Sequence, residues 1–370
     1  MQIPPFELER YFARHEFEAP YLLCCSDCES MTVGDLLRMS PGAQEKLENL
    51  WLGYTESRGH PLLREHIASL YKGIGPDQIL VHSGAEEAIF NAMNVVLKPG
   101  DHVIVHYPCY QSLLEIPKSI GCEVTPWKGA ADSNWALHLE FLEQNIRANT
   151  QMVVLNCPHN PTGYLMPREA FRHLAELSQK HGFVIFSDEV YRHLEYDPRD
   201  RLPALCEIDD RGISLGVMSK SFGLAGLRIG WIATRNEKLH DELASFKDFT
   251  TICNSAASEL LAIIALKNKD RIIQRNLSLI SNNLNILSRF FDRHAERFVW
   301  NPPKAGPIAF PALAEGQIDV FCHDLLERAG VLLLPGTVYG REYTTNFRIG
   351  FGRSNLLESL SEFEDYLLKQ

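Results

Sequence analysis

Short apolar segments alternate with amphipathic segments between about residues 78 and 234, and this alternation most constrains the fold. The predicted strands are Gln78–His82, His102–His106, Met152–Asn156, Phe183–Asp188, Ile213–Ser219 and Ile229–Thr234. Between them, Glu86–Leu97 and Pro167–His181 have the spacing of helices with one apolar face. Such alternation predicts an α/β fold with a doubly wound, mostly parallel sheet.

From about residue 235 onward, long helical segments are followed by short strands, which is typical of a smaller α+β domain. We therefore expect residues 1–40 to form an N-terminal arm and part of the small domain, 41–250 the large domain, and 251–370 the small C-terminal domain. The predicted helices are Glu237–Phe249, Ser255–Arg293, Ile318–Ala329 and Leu356–Leu368, and the predicted strands lie near Arg297–Asn301, Pro307–Phe310, Val331–Leu334 and Phe347–Phe351.

The charge and cysteine content exclude several classes of partner and site. A net charge of −11 argues against nucleic acid or an anionic membrane as the main partner. The nine cysteines are scattered, as expected for reduced thiols in a cytoplasmic enzyme. Cys25 and Cys28 have C-x-x-C spacing, but no second pair completes a zinc set, so we expect no metal.

The segment from Ser219 to Trp231 places Lys220 among small and apolar residues, with Arg228 eight positions later. A buried lysine loses its proton more easily than an exposed one. Its neutral amine can form a Schiff base with an aldehyde. This segment therefore predicts a nucleophilic lysine, with an arginine close by in the sequence.

Polar residues follow the other predicted strands, where the ligands of open α/β sheets bind. Gly84, Ala85 and Glu86 open a helix, whose free amides bind phosphate. We expect the carboxylates of Glu86 and Glu87 to point away from that phosphate. An aspartate, Asp188, ends a further strand, where it could also simply cap a helix.

These motifs occur in the order found in class I/II aminotransferases, which the chain resembles from about Leu50 to Phe351. The most specific of them is Asn-x-Pro-x-Asn-Pro-Thr-Gly, from Asn156 to Gly163. The resemblance implies the pyridoxal phosphate (PLP)-dependent transferase fold type I and PLP as the cofactor of the large domain.

In that family each motif residue has a role toward the cofactor. The implied roles are a Schiff base on Lys220, phosphate contacts from Gly84, Ala85, Glu86, Ser219 and Arg228, ring stacking by Tyr110, a pairing of Asp188 with the pyridine nitrogen, and hydrogen bonds from Asn160 and Tyr191 to the phenolic oxygen. The positive charge that Asp188 maintains on the ring makes the cofactor an electron sink.

The resemblance also implies substrate and partner contacts. Arg348, in Asn-Phe-Arg-Ile-Gly-Phe, would bind the substrate α-carboxylate together with Asn160, since a guanidinium matches a carboxylate bidentately. Arg353 is a second candidate, better explained as a salt-bridge residue. Tyr54 would contact the phosphate in the site of a partner subunit, which implies a homodimer.

The implied reaction is transamination between an L-amino acid and a 2-oxo acid, with Lys220 moving the proton at the α-carbon. The Gly-Ala-Glu-Glu-Ala segment and Ala305–Pro311 also resemble capreomycidine synthases, PLP-dependent cyclases of arginine derivatives. Cyclisation or a C–S lyase reaction is therefore the alternative. A PLP-binding transcription regulator would need an N-terminal DNA-binding domain, and the residues before Tyr54 contain no convincing helix-turn-helix.

Two departures from the family pattern affect these expectations. Val217 stands where many relatives carry a hydroxyl residue that contacts the phosphate, so Ser219 or Ser221 would have to supply that donor. The segment Cys24–Ser30 also differs from the common aminotransferase pattern, although it should lie near the substrate. The identity of the substrate therefore stays open.

Overall fold

The computed structural model of the protein describes residues 2–369, and its largest sheet has seven strands. The strands in chain order are β1 Tyr21–Leu22, β2 Ile79–His82, β3 His102–Tyr107, β4 Glu123–Lys128, β5 Thr150–Asn156, β6 Val184–Asp188, β7 Ile213–Val217, β8 Gly230–Ala233, β9 Phe298–Val299, β10 Ile308–Ala309, β11 Ala312–Leu313, β12 Val331–Leu332, β13 Leu334–Pro335 and β14 Phe347–Gly350. The α-helices are α1 Glu7–His15, α2 Val33–Leu37, α3 Ala43–Glu48, α4 Pro61–Ala68, α5 Ala85–Val96, α6 Gln111–Ile120, α7 Leu139–Asn145, α8 Arg168–His181, α9 Leu205–Ile208, α10 Glu237–Lys247, α11 Ala256–Lys267, α12 Lys269–Arg293, α13 Ile318–Ala329 and α14 Leu356–Leu368. Short 3₁₀ turns lie at Pro76–Gln78, Ala131–Ser133, Pro198–Asp200, Ala225–Leu227 and Gly336–Val338.

The seven-stranded sheet has the order β2-β8-β7-β6-β5-β3-β4. Only β8 runs antiparallel to its neighbours, and the other strand pairs are parallel. Every residue of β2, β3, β7 and β8 is buried, because helices cover both faces of such a sheet. The predicted doubly wound α/β fold is confirmed.

Strand β4 forms one edge of the sheet and is absent from the sequence prediction. It pairs in parallel with β3, from Glu123 opposite His102 to Lys128 opposite Tyr107. Most of its residues are partly or fully exposed, and it contains Pro126. Proline and charged side chains are tolerated on an edge strand, and they conceal it from a search for apolar segments.

The long helical segment predicted from Ser255 to Arg293 is two helices, α11 and α12. Asn268 separates them, and its side-chain amide donates to the Ile264 carbonyl at 2.8 Å and to the Ser40 hydroxyl at 3.0 Å. Asparagine bonds to nearby backbone in this way at helix ends, and here it ends α11 within a polar stretch, Lys267–Arg271.

The N-terminal residues join the C-terminal part of the chain. Strand β1 pairs in parallel with β12, and the Tyr11 hydroxyl of α1 donates to the Leu333 carbonyl at 2.9 Å. Helix α11 instead packs with Leu63 and Ile67 of α4 in one apolar cluster. The predicted division at residues 40 and 250 stays a prediction, and this packing favours a second boundary at Asn268.

Within residues 2–369, no helix combines the length and the apolar character needed to cross a membrane. The same residues contain no group of three or more His, Cys, Asp or Glu side chains that could hold a metal ion.

Candidate active site

A cavity of about 410 Å³ lies where the parallel strands of the large sheet end. The sequence-predicted residues that line it are Ala85, Glu86, Tyr110, Asn160, Asp188, Tyr191, Ser219, Lys220, Arg228 and Arg348. Strand register helps to bring them together, since Asn156 and Asp188 are paired at the ends of β5 and β6. Residues from six separate sequence motifs thus share one cavity.

Lys220 follows β7, and its amine reaches the N-terminal part of the chain. Its Nζ donates to the Ser26 hydroxyl at 2.9 Å. Burial lowers the pKa of Lys220, and the nearby Arg348 guanidinium acts in the same direction. An amine with a lowered pKa is more often neutral, as a nucleophile or a general base must be.

Asp188 is a buried carboxyl group on the cavity wall. Its Oδ1 accepts a hydrogen bond from the Val190 amide at 3.2 Å, and no ion pair is found for it among residues 2–369. Burial raises the pKa of Asp188 to about 7. A cationic group placed against this carboxyl would return its pKa to the ordinary range, because opposite charge favours the ionised form.

Arg348 is a second buried charge that lacks a counterion within the described part of the chain. It lies on β14 and is 1% exposed. Its Nε and Nη2 donate to the Cys24 carbonyl at 3.0 and 2.8 Å, and Nη1 donates to the Tyr339 hydroxyl at 2.6 Å and to Asn160 Oδ1 at 3.3 Å. Neutral oxygens orient this guanidinium without cancelling its charge, so the site is suited to an anionic ligand group.

The first turn of α5 and Arg228 form an anion-binding cradle. Gly84, with φ of 90°, precedes α5, and a Cβ there would come within 2.7 Å of Arg228 Nη2. A Cβ at Gly230 would meet the Gly84 backbone at 2.6 Å, so both positions require glycine. Free helix amides, the positive end of the helix dipole and a guanidinium together fit a phosphate group.

The two carboxylates beside this cradle take different directions. Glu87 accepts from the Ser83 amide at 2.6 Å and from the Thr251 hydroxyl at 2.6 Å, so it turns away as predicted. Glu86 instead lines the cavity and accepts a hydrogen bond from the Ser112 hydroxyl. Burial raises the pKa of Glu86, and a protonated Glu86 would not repel a phosphate.

The serine that could replace the missing hydroxyl at Val217 can be identified from the geometry. Ser219 lines the cavity beside Val217, whereas the Ser221 hydroxyl donates to the Val190 carbonyl at 3.0 Å and to the Arg192 carbonyl at 2.6 Å. Of the two serines, only Ser219 therefore lies where it could replace the hydroxyl missing at Val217.

Two tyrosines on the wall have hydrogen-bond partners that the sequence did not indicate. The Tyr191 hydroxyl donates to the Ser26 carbonyl at 3.0 Å. The Tyr110 hydroxyl donates to Glu9 of α1 at 3.2 Å, and its ring packs against Phe6 at 5.0 Å between centroids. Burial raises the pKa of both phenols, which stay protonated donors at neutral pH.

Tyr54 is a predicted site residue that does not take part in this arrangement. Its side chain is 84% exposed, and it is not among the residues that line the cavity. Its predicted contact is with the site of a second subunit, so exposure in a single chain is compatible with that role.

The residues that the sequence motifs missed come mainly from the N-terminal 30 residues. Besides Tyr339, they are Glu9, Phe12, Glu16, Cys25, Ser26 and Asp27. The Phe12 ring lies 5.7 Å from the Arg348 guanidinium carbon, so α1 covers the carboxylate-binding end of the cavity. The only available signal was the departure of Cys24–Ser30 from the family pattern.

The fold and the buried lysine, aspartate and arginine define an enzyme of the PLP-dependent type. Comparison with known proteins agrees: residues 29–362 match the family model for aminotransferase class I and II. The chain belongs to this family, and it is a PLP-dependent aminotransferase of fold type I.

Individual relatives cover nearly the whole chain. A structure of a PLP-dependent aminotransferase from Streptococcus suis 89-1591 has a TM-score of 0.94 and 33% identity, over 100% of this chain and 99% of that one. An aspartate aminotransferase from Thermotoga maritima is 30% identical over 92% of each chain. Capreomycidine synthase from Streptomyces vinaceus is 29% identical over 94% of this chain and 90% of its own.

Proposed function

We propose that this cavity transfers the amino group of an L-amino acid to a 2-oxo acid, with Lys220 as the proton carrier. The observation that carries the proposal is the pair of buried ionisable groups without an ion pair among the described residues, Asp188 and Arg348, on the wall that also holds the Lys220 amine. Burying a charge without a partner is costly, so such groups indicate where ligand charges of opposite sign bind.

The described residues fit the cofactor at each of its polar groups. Lys220 would hold its aldehyde carbon, Asp188 its pyridine nitrogen, and Asn160 with Tyr191 its phenolic oxygen. Arg228, Ser219 and the amides of Ala85 and Glu86 would hold the phosphate, and Tyr110 would lie against the ring. Bound PLP supplies an electron sink for the pair left when a bond at the substrate α-carbon breaks.

The protein's own residues would then perform three tasks. Arg348 would bind the substrate α-carboxylate, with Asn160 beside it, and thereby fix the orientation of the α-carbon. Lys220 would remove the proton from that carbon as a general base. It would then deliver the proton, as a general acid, to the carbon of the cofactor's aldehyde group. Helix α1 would exclude water from the carboxylate end through Phe12.

The test is to add a panel of L-amino acids to the purified, PLP-loaded protein and to quantify pyridoxamine phosphate and 2-oxo acid by chromatography. We expect equal amounts of both products with at least one amino acid, and none with Lys220→Ala. If cofactor binds through Lys220 but no amino acid yields pyridoxamine phosphate, the transamination proposal is wrong.

Ring closure on an amino acid with a basic side chain is the second candidate, and two observations favour it. One is the similarity to capreomycidine synthase. The other is the charge on the cavity wall: Glu9 and Glu16 line it, and neither has an ion pair among the described residues. Arg353 also lines the cavity, but its guanidinium is paired bidentately with Asp27, from Nε at 3.2 Å and from Nη2 at 3.1 Å, so its charge is already neutralised.

The two candidates, and a C–S lyase reaction, are separated by the fate of the amino group. Transamination accumulates pyridoxamine phosphate, whereas cyclisation and elimination leave the cofactor as PLP. Product analysis with arginine derivatives as substrates would identify ring closure, because the product would lack the mass of the substrate's leaving group and would retain the α-nitrogen.

We also propose that the active unit is a homodimer in which Tyr54 contacts the partner's phosphate. Large apolar side chains are highly exposed next to Tyr54 in the sequence, namely Trp51 and Leu52, and Phe249 is also highly exposed. The buried Lys247 amine links the two segments, because it donates to the Ser57 carbonyl at 2.7 Å and the Ile252 carbonyl at 3.2 Å. Exposed apolar groups of this kind are typical of subunit interfaces.

Sedimentation of the wild type and Trp51→Glu tests this assembly. We expect a dimer for the wild type, and a monomer with weakened PLP binding for the variant. A monomeric wild type with full activity would contradict the proposal.

The nine free thiols support a cytoplasmic location, which fractionation of the producing cells would test.

A further inference from the structure

The segment Cys24–Ser30 departs from the family pattern, and it passes through the centre of the site. One backbone oxygen, that of Cys24, accepts two hydrogen bonds from Arg348, and the oxygen of Ser26 accepts one from Tyr191. Between these two carbonyls, the Ser26 hydroxyl contacts the Lys220 amine at 2.9 Å. A single stretch of chain thus contacts three of the residues expected to perform the chemistry.

The backbone holds this stretch in a fixed position. The Gly350 amide donates to the Leu23 carbonyl at 2.7 Å, and the Glu29 amide donates to the Gly352 carbonyl at 2.7 Å. A Cβ at Gly350 would collide with the Cys25 carbonyl, and one at Gly352 would collide with that of Asp27. Because the backbone is in close contact with Gly350 and Gly352 at the residues on both sides of Ser26, the position of the Ser26 hydroxyl is well defined.

We propose that Ser26 is a positioning residue for the Lys220 amine. Its hydroxyl accepts a hydrogen bond from Nζ whenever the amine is not covalently bound, and it holds the amine on the side of the cavity where Arg348 fixes the substrate. In that position the nitrogen can take the α-proton without first searching among rotamers. A lysine side chain otherwise loses rotamer entropy when it is held in one position.

The contact also has a consequence for the acidity of the amine. A hydroxyl oxygen that accepts from the ammonium form stabilises it, and so offsets part of the lowering of the Lys220 pKa by burial. The other groups that act on this amine are Cys25, Asp27, Cys28, Asp188 and Arg348. A substitution confined to the Ser26 hydroxyl leaves all of these in place, so its effect on Lys220 can be measured separately.

The inference rests on the proposed role of Lys220, but its main test does not require turnover. Full-length protein freed of cofactor is treated with trinitrobenzenesulfonate between pH 6 and 10, and modification of Lys220 is quantified by peptide mass spectrometry. We expect Ser26→Ala to lower the midpoint of the rate profile by about one to two pH units, the usual effect of losing one hydrogen bond to a charged group.

Ser26→Thr and Ser26→Val form a matched pair, since they have the same shape and only threonine retains the hydroxyl. We expect Thr to keep the wild-type midpoint and Val to shift it as Ala does. Ser30→Ala, in the same segment but with an exposed side chain, should behave as the wild type. If Ala destabilises the fold, the Thr and Val pair decides the question.

A second readout uses the PLP-loaded protein and the exchange of the substrate α-hydrogen with deuterated solvent. The exchange rate should fall on the order of tenfold in Ser26→Ala with little change in KM, because positioning affects the proton transfer and not substrate binding. Identical labelling midpoints for Ala, Val and wild type would overturn the inference, even if transamination is confirmed. Failure of transamination with a shifted midpoint would overturn only the proposed reaction.

Discussion

The inner and outer halves of the cavity differ in how they are built. The inner half consists of Asp188, Asn160, Lys220 and Arg228. These residues lie at the ends of strands of the large sheet or in the loops next to those ends, and each belongs to a recognisable motif. The outer half consists of α1 and the segment Cys24–Ser30, which come from the N-terminal part of the chain and match no motif. The comparison teaches that the sheet supplies the residues expected to hold the cofactor, while the N-terminal residues close the cavity and contact Lys220 and Arg348 from the other side.

Loss of the Lys220 amine gives the largest expected effect, because the amine both holds the cofactor and carries the proton. Lys220→Ala should remove covalently bound PLP and lower turnover at least about 10³-fold, since acid–base catalysis alone contributes 10²–10⁴-fold. Borohydride reduction followed by intact-mass measurement checks the covalent link. Lys180→Ala, an exposed lysine at the end of α8, is the control. Equal amounts of reductively fixed PLP in both variants would contradict the assignment of Lys220 as the residue that binds the cofactor covalently.

Arg348 connects the two halves, so its substitution should affect substrate binding with less effect on the cofactor. Arg348→Gln should lower kcat/KM by about 10²- to 10³-fold, because a charged bidentate hydrogen bond to the α-carboxylate is lost. The cofactor affinity should stay within a few-fold of the wild type. Steady-state kinetics with the best amino acid, together with a PLP titration, provides both quantities. A variant that loses PLP but binds amino acids normally would place Arg348 at the cofactor instead.

Asp188 gives a prediction about pH and stability. Its pKa in the folded protein is about 7, above the ordinary value of 3.8, so the folded state binds more protons than the unfolded state between these values. The stability of cofactor-free protein should therefore fall as the pH rises from about 4 to 7. Asp188→Asn lacks this group and should be more stable than the wild type at pH 8, by roughly 1–4 kcal/mol.

Thermal unfolding of both proteins from pH 5 to 8, with and without PLP, measures this difference. Adding PLP should remove the disadvantage of the wild type, because a protonated pyridine nitrogen restores the ionised carboxylate. If the two cofactor-free proteins have parallel pH profiles, Asp188 does not titrate in this range. If PLP fails to favour the wild type over Asp188→Asn, the carboxylate does not face the ring nitrogen.

The sequence predicted the sheet well and its exposed edge poorly, for a physical reason. Strands such as β3 and β7 are buried on both faces, so apolar residues dominate their sequences. Strand β4 is largely exposed and contains Pro126, so its pairing with β3 is determined by backbone contacts that leave no apolar pattern. The break at Asn268 between α11 and α12 lies in the polar stretch Lys267–Arg271, which would also fit an exposed turn of one continuous helix.

The same distinction explains which site residues could be predicted. Lys220, Asp188 and Arg348 were found because their motifs have characteristic neighbours, and the structure brings all three to one cavity. Ser26 contacts Lys220 across 194 residues of chain, and Tyr339 contacts Asn160 across 179. Such contacts depend on how the N-terminal arm and the C-terminal strands fold over the sheet, and no local pattern records them.

The smallest expected effect concerns Glu16, a residue of the outer half whose substitution should change substrate binding but not cofactor binding. Glu16 lines the cavity without an ion pair among residues 2–369, and burial raises its pKa, as does the charge of Asp27 nearby. Glu16→Gln should raise KM about three- to tenfold for amino acids with a basic side chain, the usual range for a partly exposed charge pair. KM for neutral amino acids should change less than twofold, and the affinity for PLP should not change.

Kinetics with arginine, norleucine and glutamate distinguishes the outcomes, with the exposed Glu18→Gln as control. Because the carboxylate repels a distal carboxylate, glutamate should bind better to Glu16→Gln than to the wild type. An equal change of KM for all three amino acids would mean that Glu16 shapes the cavity without reading the charge of the substrate.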